Sequence, residues 1–268
     1  MNLRSLIKVQ AAVFFAIAVG AAAQSSAPNL DVVGIKLGMP VKTAVTAIKA
    51  SNPRLTVQED TFQLEGFDQV VLSSIVASVS GEAGKDTEQF SLGITMPPSP
   101  QVVWGVRRTY TYAPQNMPST ALTMGALRKK YGPESIPVDP DPRNLTKAMI
   151  WVFDPQGRPV APARAHSLYM ACDAPLSNAF QTTAISNELA GGRMPVECDS
   201  VVMISASVQS SSNVVPGSIV VGNLIVQVAN GPAYRASIEA TRRVVMAAVN
   251  GRQNKQKEEI NKRGAPKI

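Results

Sequence analysis

The chain has 268 residues, of which 45% are hydrophobic and 17% are charged, and its formal net charge is +7 at pH 7. This composition is typical of a globular protein and excludes a disordered chain. The positive charge lies at the two ends, because Arg4 and Lys8 precede the body and residues 252–268 contain six basic and two acidic side chains. Residues 24–251 therefore have a net charge of about +1, which excludes the broad basic surface of a nucleic-acid-binding protein.

The N-terminus has the three parts of a secretory signal peptide. Arg4 and Lys8 are followed by the apolar run Ala11–Val19, and small residues then lead to Ala23, after which we expect cleavage. The apolar run is too short to span a membrane, and no later stretch reaches about eighteen consecutive apolar residues. The sequence therefore predicts a periplasmic or secreted protein with no transmembrane span after signal cleavage.

Residues 24–116 are predicted to form a first helix-plus-sheet unit. Asp31–Leu37 alternates as a strand does, and Pro40 begins a helix in which Ala44 and Ile48 share one face. Pro53 ends this helix, because the residue before a proline is pushed into extended geometry. Further strands are predicted over Thr61–Ser80, with a break near Gly66, and over Glu88–Met96 and Val102–Tyr112.

Residues 117–251 are predicted to form a second unit of the same kind. Residues 117–120 supply the N-cap of a helix that ends at Gly132-Pro133. Met149–Phe153 is predicted as a strand that enters the turn Asp154–Gly157. The remaining predictions are a return strand toward His166, Leu168 and Met170, an irregular stretch over Ala171–Cys198, strands over Val201–Val208 and Ser218–Val228, and a helix that begins at Pro232.

The last predicted helix gives way to a basic tail over residues 252–268. Its apolar stripe, which includes Tyr234, Ile238 and Val249, fades from Gln253 onward, so we expect a frayed helix or a disordered segment. The basic side chains of this tail suit a contact with an anionic envelope polymer or with lipid headgroups, and a solvated helix end is the simpler interpretation. They are Lys255, Lys257, Lys262 and Arg263.

Cys172 and Cys198 are the only cysteines, and in an exported protein two cysteines are expected to form a disulfide. Because His166 is the only histidine, two thiols and one imidazole at this spacing do not match a zinc site. The chain also lacks the glycine-rich loop that cradles phosphates. The sequence therefore predicts no metal and no cofactor.

Catalytic signatures are weak throughout the chain. A serine, histidine and aspartate triad would need His166, but its neighbour Ser167 does not lie in the G-x-S-x-G turn of hydrolases. A pair of carboxylates would suffice for a glycosidase, yet nothing in the sequence selects a pair. The carboxylates considered are Asp139, Asp141, Asp154, Asp173, Glu197 and Asp199. We therefore assign no catalytic residue, and a hydrolase that uses carboxylates or His166 remains the alternative.

The strand Val102–Tyr112 contains the best candidate for a binding surface. Strict alternation places Trp104, Arg108, Tyr110 and Tyr112 on one side of this strand. An arginine beside three aromatic residues is typical of a surface that faces a ligand, and also of a solvated face held by cation–π contacts and cross-strand packing. These four residues are the predicted binding residues.

Two stretches resemble a known class of small periplasmic domains. GIKLGMPVKTAVTAIKASNP, residues 34–53, and LTMGALRKKYGP, residues 122–133, are similar to the glycine-rich turn and helix of BamE-like (SmpA/OmlA) outer-membrane assembly lipoproteins and of the tandem β-lactamase-inhibitor-protein fold. The resemblance implies a short helical pair on one face of an antiparallel sheet and a function in protein binding. The chain departs from these families because it has no lipid-anchoring cysteine and has a long C-terminal half.

These observations predict an α+β exported protein. We expect a mostly antiparallel sheet covered on one face by a few short helices, arranged as two related units with a boundary near Met117. The expected function is that of a periplasmic, non-catalytic binding protein whose partner is another protein or an anionic envelope polymer. A hydrolase and a structural envelope component are the alternatives.

Overall fold

The structure is a computed structural model that describes residues 30–67, 70–79, 81, 84–139, 145–192, 194–211 and 219–262. The predicted signal peptide lies outside these residues. The described residues form an antiparallel seven-stranded sheet, a two-stranded hairpin and five α-helices, so the predicted α+β class is confirmed.

The hairpin comes first in the chain, and the seven-stranded sheet has the strand order β3-β4-β5-β6-β9-β8-β7. Neighbouring strands in the sheet are all antiparallel. The hairpin strands are β1 (Asp31–Val32) and β2 (Ile35–Lys36); the sheet strands are β3 (Thr56–Phe62), β4 (Val71–Ser78), β5 (Thr87–Ile94), β6 (Val103–Thr111), β7 (Thr146–Phe153), β8 (Val202–Ser211) and β9 (Val220–Asn230).

Helices pack on both faces of this sheet. The helices are α1 (Val41–Ser51), α2 (Thr120–Tyr131), α3 (Pro162–Asn178), α4 (Thr182–Leu189) and α5 (Gly231–Lys262). One hydrophobic cluster joins α1, α2 and the hairpin to the face that we call the first face. A separate cluster joins α3, α4 and α5 to the opposite, second face. The expected layer of helices is therefore present, but the prediction that helices cover one face only is corrected.

A continuous apolar row lies on the first face, beneath α1 and α2. It crosses six strands in register, from Ile75 on β4 to Trp151 on β7. Each member of the row is buried in the cluster shared with α1 and α2, so removal of this surface from water favours folding. The members are Ile75, Leu92, Val106, Val228, Ile204 and Trp151.

The two predicted units share one sheet. Their boundary near Met117 falls between β6 and α2, and β6 pairs along its length with β9. A helix precedes each edge strand, and the edge strands β3 and β7 run in the same direction. A two-fold axis relating such strands would place α1 and α2 on opposite faces, whereas both contribute to the cluster on the first face. The order of a helix followed by an edge strand therefore repeats along the chain, but no simple two-fold axis relates the two units in the fold.

The predicted return strand after β7 is wrong, because residues 162–178 form α3. Its buried residues Ala165, Leu168, Cys172 and Leu176 are spaced by three or four positions, as on one face of a helix. The stretch predicted as irregular, Ala171–Cys198, contains the end of α3, all of α4 and a 3-10 turn over Val196–Ser200. Small side chains weaken the apolar contrast along α3, which is why the helical period was missed.

The predicted disulfide between Cys172 and Cys198 is present. Their Cα atoms are 5.5 Å apart, and both residues are buried in the second-face cluster. The bond ties α3 to the 3-10 turn that precedes β8. Closing a loop of this length stabilises a fold by about 3 kcal/mol in the chain-entropy treatment.

The basic tail is helical over its described part. α5 continues to Lys262 without a break, so the prediction of a frayed or disordered segment is corrected for residues 252–262, while residues 263–268 lie outside the described residues. Residues 251–262 are all exposed, and Arg252 forms an ion pair with Glu65 at 3.2 Å.

None of the helices in the described parts of the chain is both long and apolar enough to cross a membrane.

Candidate functional site

A β-bulge in β6 separates the residues that simple alternation placed together. Gly93 pairs with Gly105 and Ile94 with Val103, so Trp104 is an extra residue between the two pairs. An extra residue reverses the alternation of side chains on either side of it. Trp104 therefore belongs to the second-face cluster, whereas Arg108, Tyr110 and Tyr112 lie on the first face. The prediction that all four share one face is corrected for Trp104.

Arg108 is held on the first face by an ion pair and two aromatic rings. Its Nε donates to Oε1 of Glu88 at 2.7 Å, and Oε2 of the same carboxylate accepts from Nδ2 of Asn52 at 2.9 Å. The guanidinium carbon also lies 4.8 Å from the ring centroid of Tyr110 and 5.8 Å from that of Phe90. Because Glu88 is only 7% exposed, this ion pair is shielded from solvent and the arginine is committed to the fold.

The two tyrosines are also tied to neighbours. The hydroxyl of Tyr110 donates to Oδ2 of Asp86 at 2.8 Å, and the rings of Tyr110 and Tyr112 are 4.7 Å apart. Burial raises the pKa of Tyr110 to about 12, with a further contribution from the Asp86 hydrogen bond. Burial also raises the pKa of Asp86, but hydrogen bonds from the Ala113 amide, Tyr110 and Asn116 outweigh it and hold that pKa below its ordinary value.

Trp104 lies in an aromatic cluster beneath the helices of the second face. Its ring is 4.9 Å from that of Phe180 and 4.7 Å from that of Tyr234. The indole lies directly over Gly93, where a Cβ would collide with it, and Phe180 covers Gly105 in the same way. Trp104 is buried, so it is a core residue and does not offer its face to a ligand.

The helices of the second face leave part of it uncovered. Next to the aromatic cluster, under α3, a row of four side chains crosses β5, β6, β9 and β8 in register: Ser91, Arg107, Gln227 and Ser205. Two further rows lie beyond this one, and none of their eight side chains is buried. These rows consist of Gln89, Thr109, Ile225 and Ser207, followed by Thr87, Thr111, Asn223 and Gln209. We call these three rows the polar rows.

A groove of about 490 Å³ lies where the polar rows meet the junction of α3 and α4. This volume falls within the range of small-molecule sites. Hydroxyl and amide groups dominate its lining, Arg107 supplies a positive charge and Asp60 supplies a negative one. The sheet contributes Asp60, Val76, Gln89, Ser91, Arg107 and Thr109, and the helical junction contributes Ser177, Phe180, Gln181, Thr182 and Thr183.

Arg107 differs from Arg108 because it has no carboxylate at ion-pair distance among the described residues. The charge of Arg107 acts on Asp173 of α3, and the carboxylate of Asp60 lines the same groove as Arg107. Burial raises the pKa of Asp173 above its ordinary value, although a hydrogen bond with Ser205 and the charge of Arg107 act in the opposite direction. Arg107 in the polar rows and the partly buried Asp173 on α3 thus influence each other without forming an ion pair.

Gln227 is the most buried member of the polar rows. It is 3% exposed, its Oε1 accepts from the Ser177 hydroxyl at 3.1 Å, and its Nε2 has no hydrogen-bond partner in the part of the chain that the structure describes. Ser177 lies one helical turn after Asp173, so α3 lays two polar side chains on this row. A buried donor without a hydrogen bond lowers the free energy of unfolding. Packing alone therefore does not explain a glutamine at this position.

The catalytic candidates are not assembled at the groove. His166 is exposed on α3, about 16 Å along the helix axis from Ser177. Ser167 donates back to the Ala163 carbonyl of its own helix at 3.4 Å. Among the described residues, no group of three or more histidine, cysteine, aspartate or glutamate side chains is placed to hold a metal ion.

The carboxylates considered from the sequence are dispersed. Asp154 caps its own turn and pairs with Arg158, Asp199 pairs with Arg235, Glu197 is exposed, and Asp139 is exposed while its carbonyl accepts from Lys147. Asp141 lies outside the described residues. Only Asp173 lies beside the polar rows, and no second carboxylate is within hydrogen-bond reach of it among the described residues.

The strand pattern points to Arg108 as a binding residue and does not point to its neighbour Arg107. The alternation of β6 places the two arginines on opposite faces, so the strand pattern indicates that their surroundings differ. The missing signal was on the other strands, where Gln89, Ser91, Gln227 and Ser205 supply polar residues at every second position. Their alignment depends on the sheet order and register, which one sequence does not reveal.

No family model matches the chain, and no curated protein and no solved structure matches it. The resemblance to BamE-like domains therefore stays a prediction.

Proposed function

We propose that this protein is an exported, non-catalytic binding protein, and that its groove at the α3–α4 junction holds a segment of a polar envelope polymer. The observation that carries the proposal is Arg107, an arginine without an ion-pair partner in a groove lined by hydroxyl and amide groups. The disulfide and the predicted signal peptide agree with a periplasmic or secreted location.

The lining favours a glycan over a peptide. Serine, threonine and glutamine side chains each donate and accept hydrogen bonds, as the hydroxyl groups of a sugar also do. A peptide in extended form pairs its backbone with the edge of a sheet, whereas the groove lies on the face of the sheet, where only side chains are offered. Phe180, which is 7% exposed, adds a small apolar surface to the lining.

The spacing of the groove residues suits a repeating ligand. Adjacent strands are about 4.8 Å apart, and alternate residues along one strand are separated by about 6.8 Å. Gln89, Ser91, Arg107 and Thr109 therefore form a small grid of hydrogen-bonding groups with two positions in each direction. Such a grid binds several hydroxyl groups of one polymer ligand at once, so no single hydrogen bond has to be strong.

The test is binding of the purified protein to isolated cell-wall sacculi and to the soluble polysaccharide fraction, measured by co-sedimentation and calorimetry. Ser91→Tyr fills the groove and is expected to reduce binding at least tenfold. Thr56→Tyr places the same side chain at an exposed position of the edge strand β3 and serves as the matched control. Equal binding by wild type and Ser91→Tyr would show that the groove is not the binding site.

The hydrolase alternative has its own readout in the same experiment. A binding protein leaves the polymer intact, so no new reducing ends or soluble fragments are expected after prolonged incubation. Release of fragments by the wild type, and its loss in Asp173→Asn or His166→Ala, would instead favour a hydrolase. A protein that binds none of these fractions but assembles with one envelope protein would favour the structural role.

A further inference from the structure

The two edges of the seven-stranded sheet differ in how their outer backbone groups are bonded. At the β7 edge, the Ser135 amide donates to the Ile150 carbonyl at 2.8 Å. The Val160 amide donates to the Val152 carbonyl at 2.9 Å, and the Val152 amide donates to Oγ of Ser135 at 2.9 Å. The segments before and after β7 therefore already pair with its outer groups, which protects this edge from another strand.

Strand β3 forms the opposite edge, and its register shows which backbone groups point outward. Alternate residues of an antiparallel strand direct their amide and carbonyl groups to opposite sides. The Ser73 hydroxyl donates to the Asp60 carbonyl at 3.0 Å, so Asp60 directs its backbone groups toward β4. The Val79 amide, directly after β4, donates to the Glu88 carbonyl on β5, and counting along β4 from this bond gives the same alternation.

The outward backbone groups of β3 belong to Val57, Glu59 and Thr61. Among the residues that the structure describes, no segment outside the β3–β4 pair bonds to these groups. Five of the seven side chains of β3 are exposed and the other two are half-buried, so no layer covers this strand. β3 is therefore an open edge, and an extended peptide can add to such an edge through main-chain hydrogen bonds.

The side chains of β3 select the kind of strand that fits beside it. Glu59 is exposed on the side of the first face, and Asp60 is exposed on the side of the second face. Residues 56–62 contain no lysine or arginine, and in the described parts of the chain neither carboxylate has an ion-pair partner. Opposite charges directly across two strands stabilise their pairing, whereas like charges destabilise it. This edge therefore favours a strand with basic side chains.

A second copy of this chain fits the β3 edge poorly. Glu59 is the central residue of the strand, so full antiparallel overlap of two copies would place it directly opposite its own counterpart. Two carboxylates facing each other across the new strand pair repel each other. The acidic residues thus disfavour self-pairing and leave the edge open to a partner of opposite charge.

We propose that the β3 edge binds an extended segment of a partner protein, which adds to the sheet as an eighth, antiparallel strand and carries lysine or arginine opposite Glu59 and Asp60. The backbone groups of Val57, Glu59 and Thr61 form the hydrogen bonds of the new strand pair, and the two carboxylates select its charge. The inference does not rest on the polymer-binding function, because these backbone groups and the Glu59 side chain are not part of the groove lining.

The experiment uses the acetylated and amidated peptide TVKKTVT as the basic probe and TVEETVT as its acidic counterpart. In antiparallel register with residues 56–62, the two lysines lie opposite Asp60 and Glu59. We expect calorimetry at low salt to show binding of the basic peptide about tenfold tighter than that of the acidic one. Amide hydrogen exchange at Val57, Glu59 and Thr61 should slow when the basic peptide is bound.

Three variants separate the backbone bonds from the charge. Glu59→Pro removes an outward amide that β4 does not use, so the sheet should remain folded while the basic peptide no longer binds. Glu59→Gln keeps that amide and removes the charge, so binding should weaken only severalfold. Glu258→Gln removes the same charge on the exposed end of α5 and is the matched control, with unchanged binding. Thermal unfolding verifies that each variant is folded.

A basic peptide methylated at alternate amide nitrogens tests the same hydrogen bonds without a change in the protein, and it should not bind. Binding of this peptide, or undiminished binding by a folded Glu59→Pro variant, would overturn the inference. Equal affinity for the basic and acidic peptides would overturn the selection by charge, and no binding of the basic peptide to the wild type would overturn the site itself. Protection of the same amides that grows with protein concentration alone would assign the edge to self-association instead.

Discussion

Arg107 and Arg108 are neighbours on β6, and the structure gives them opposite surroundings. Arg108 lies on the first face, where it forms an ion pair with Glu88 and packs against two aromatic rings, while Asn52 donates to the same carboxylate. Arg107 lies on the second face, in a groove with no carboxylate at ion-pair distance in the described parts of the chain. An arginine with partners already in place contributes to stability, whereas one held without them is available to a ligand.

The two faces differ in the same way over a larger area. A continuous apolar row crosses six strands of the first face and is covered by α1, α2 and the hairpin. The second face is apolar only beneath α3, α4 and α5, and the polar rows extend beyond these helices. Exposed strand positions tolerate polar residues because no layer packs on them. The comparison therefore predicts that mutations on the first face change folding and that mutations in the polar rows change binding.

The largest expected effect comes from Arg108→Met. The methionine retains an apolar stem against Phe90 but leaves Glu88, which is 7% exposed, without its cation. An unpaired buried carboxylate is costly, so the free energy of unfolding should fall by about 3 kcal/mol in urea titrations at pH 7.

Arg107→Met is the matched control on the adjacent residue. We expect its unfolding free energy to stay within about 0.5 kcal/mol of the wild type, because no ion pair is lost. The double variant Glu88→Gln with Arg108→Met should recover part of the loss, since no charge is then buried alone. Equal destabilisation by Arg107→Met and Arg108→Met would contradict the assignment of one arginine to folding and the other to binding.

Gly93→Ala should have the next largest effect, because it acts on the bulge that separates the two faces. A Cβ at Gly93 would collide with the Trp104 indole, which cannot move away without disturbing Phe180 and Tyr234. Overpacking of this kind costs about 2 kcal/mol. The measurement is chemical unfolding followed by tryptophan fluorescence. Gly125→Ala, at an open helical position where a Cβ meets no atom, is the control and should be neutral or slightly stabilising.

Replacing one carboxylate beside each face is expected to change the melting temperature by a smaller amount, with opposite signs for the two carboxylates. The pKa of Asp86 is lowered in the folded state, so its ionised form stabilises the fold above the unfolded pKa of about 3.9, and this contribution is lost as pH falls. Asp86→Asn should therefore lower the melting temperature at pH 7 and have little effect near pH 2.

The pKa of Asp173 is raised in the folded state, so its ionised form destabilises the fold above that pKa, and the penalty disappears as pH falls through it. Asp173→Asn should raise the melting temperature at pH 7, and its advantage should shrink at acidic pH. Melting curves of the wild type and both variants from pH 3 to pH 8 measure this. The same sign for both variants would contradict the difference in their surroundings.

The smallest expected effect is at the hairpin that covers the first face. Val33 has φ +52° and Gly34 has φ +80°, and together they form the two-residue turn between β1 and β2. A β-branched residue is strained at positive φ, whereas asparagine followed by glycine is favoured in this turn. Val33→Asn should therefore stabilise the protein by about 1 kcal/mol, measured by urea unfolding. Val70→Asn, another exposed valine outside the strands, is the control and should change little.

Local patterns recovered many of the elements. Proline positions predict the first two helices, and alternation predicts the strand that contains Arg107 and Arg108. The presence of two cysteines predicts the disulfide. The structure confirms all of these. α3 was missed because residues 162–178 contain many small and polar side chains, so its helical period is weak. The shared face of Trp104 and Arg108 was mispredicted because a bulge leaves no mark in the alternation before and after it.

The amino-acid sequence by itself determined the α+β class, the antiparallel character of the strands, the disulfide and the expectation of export. These features depend on neighbours in the chain or on residue type. Only the tertiary structure decided which arginine is free, because that depends on Glu88 on β5, Asn52 after α1 and Asp173 on α3, which the sequence separates by up to 121 positions. Pairing of charges is a short-range interaction in space between residues that are distant along the chain, and the register of the sheet brings them together.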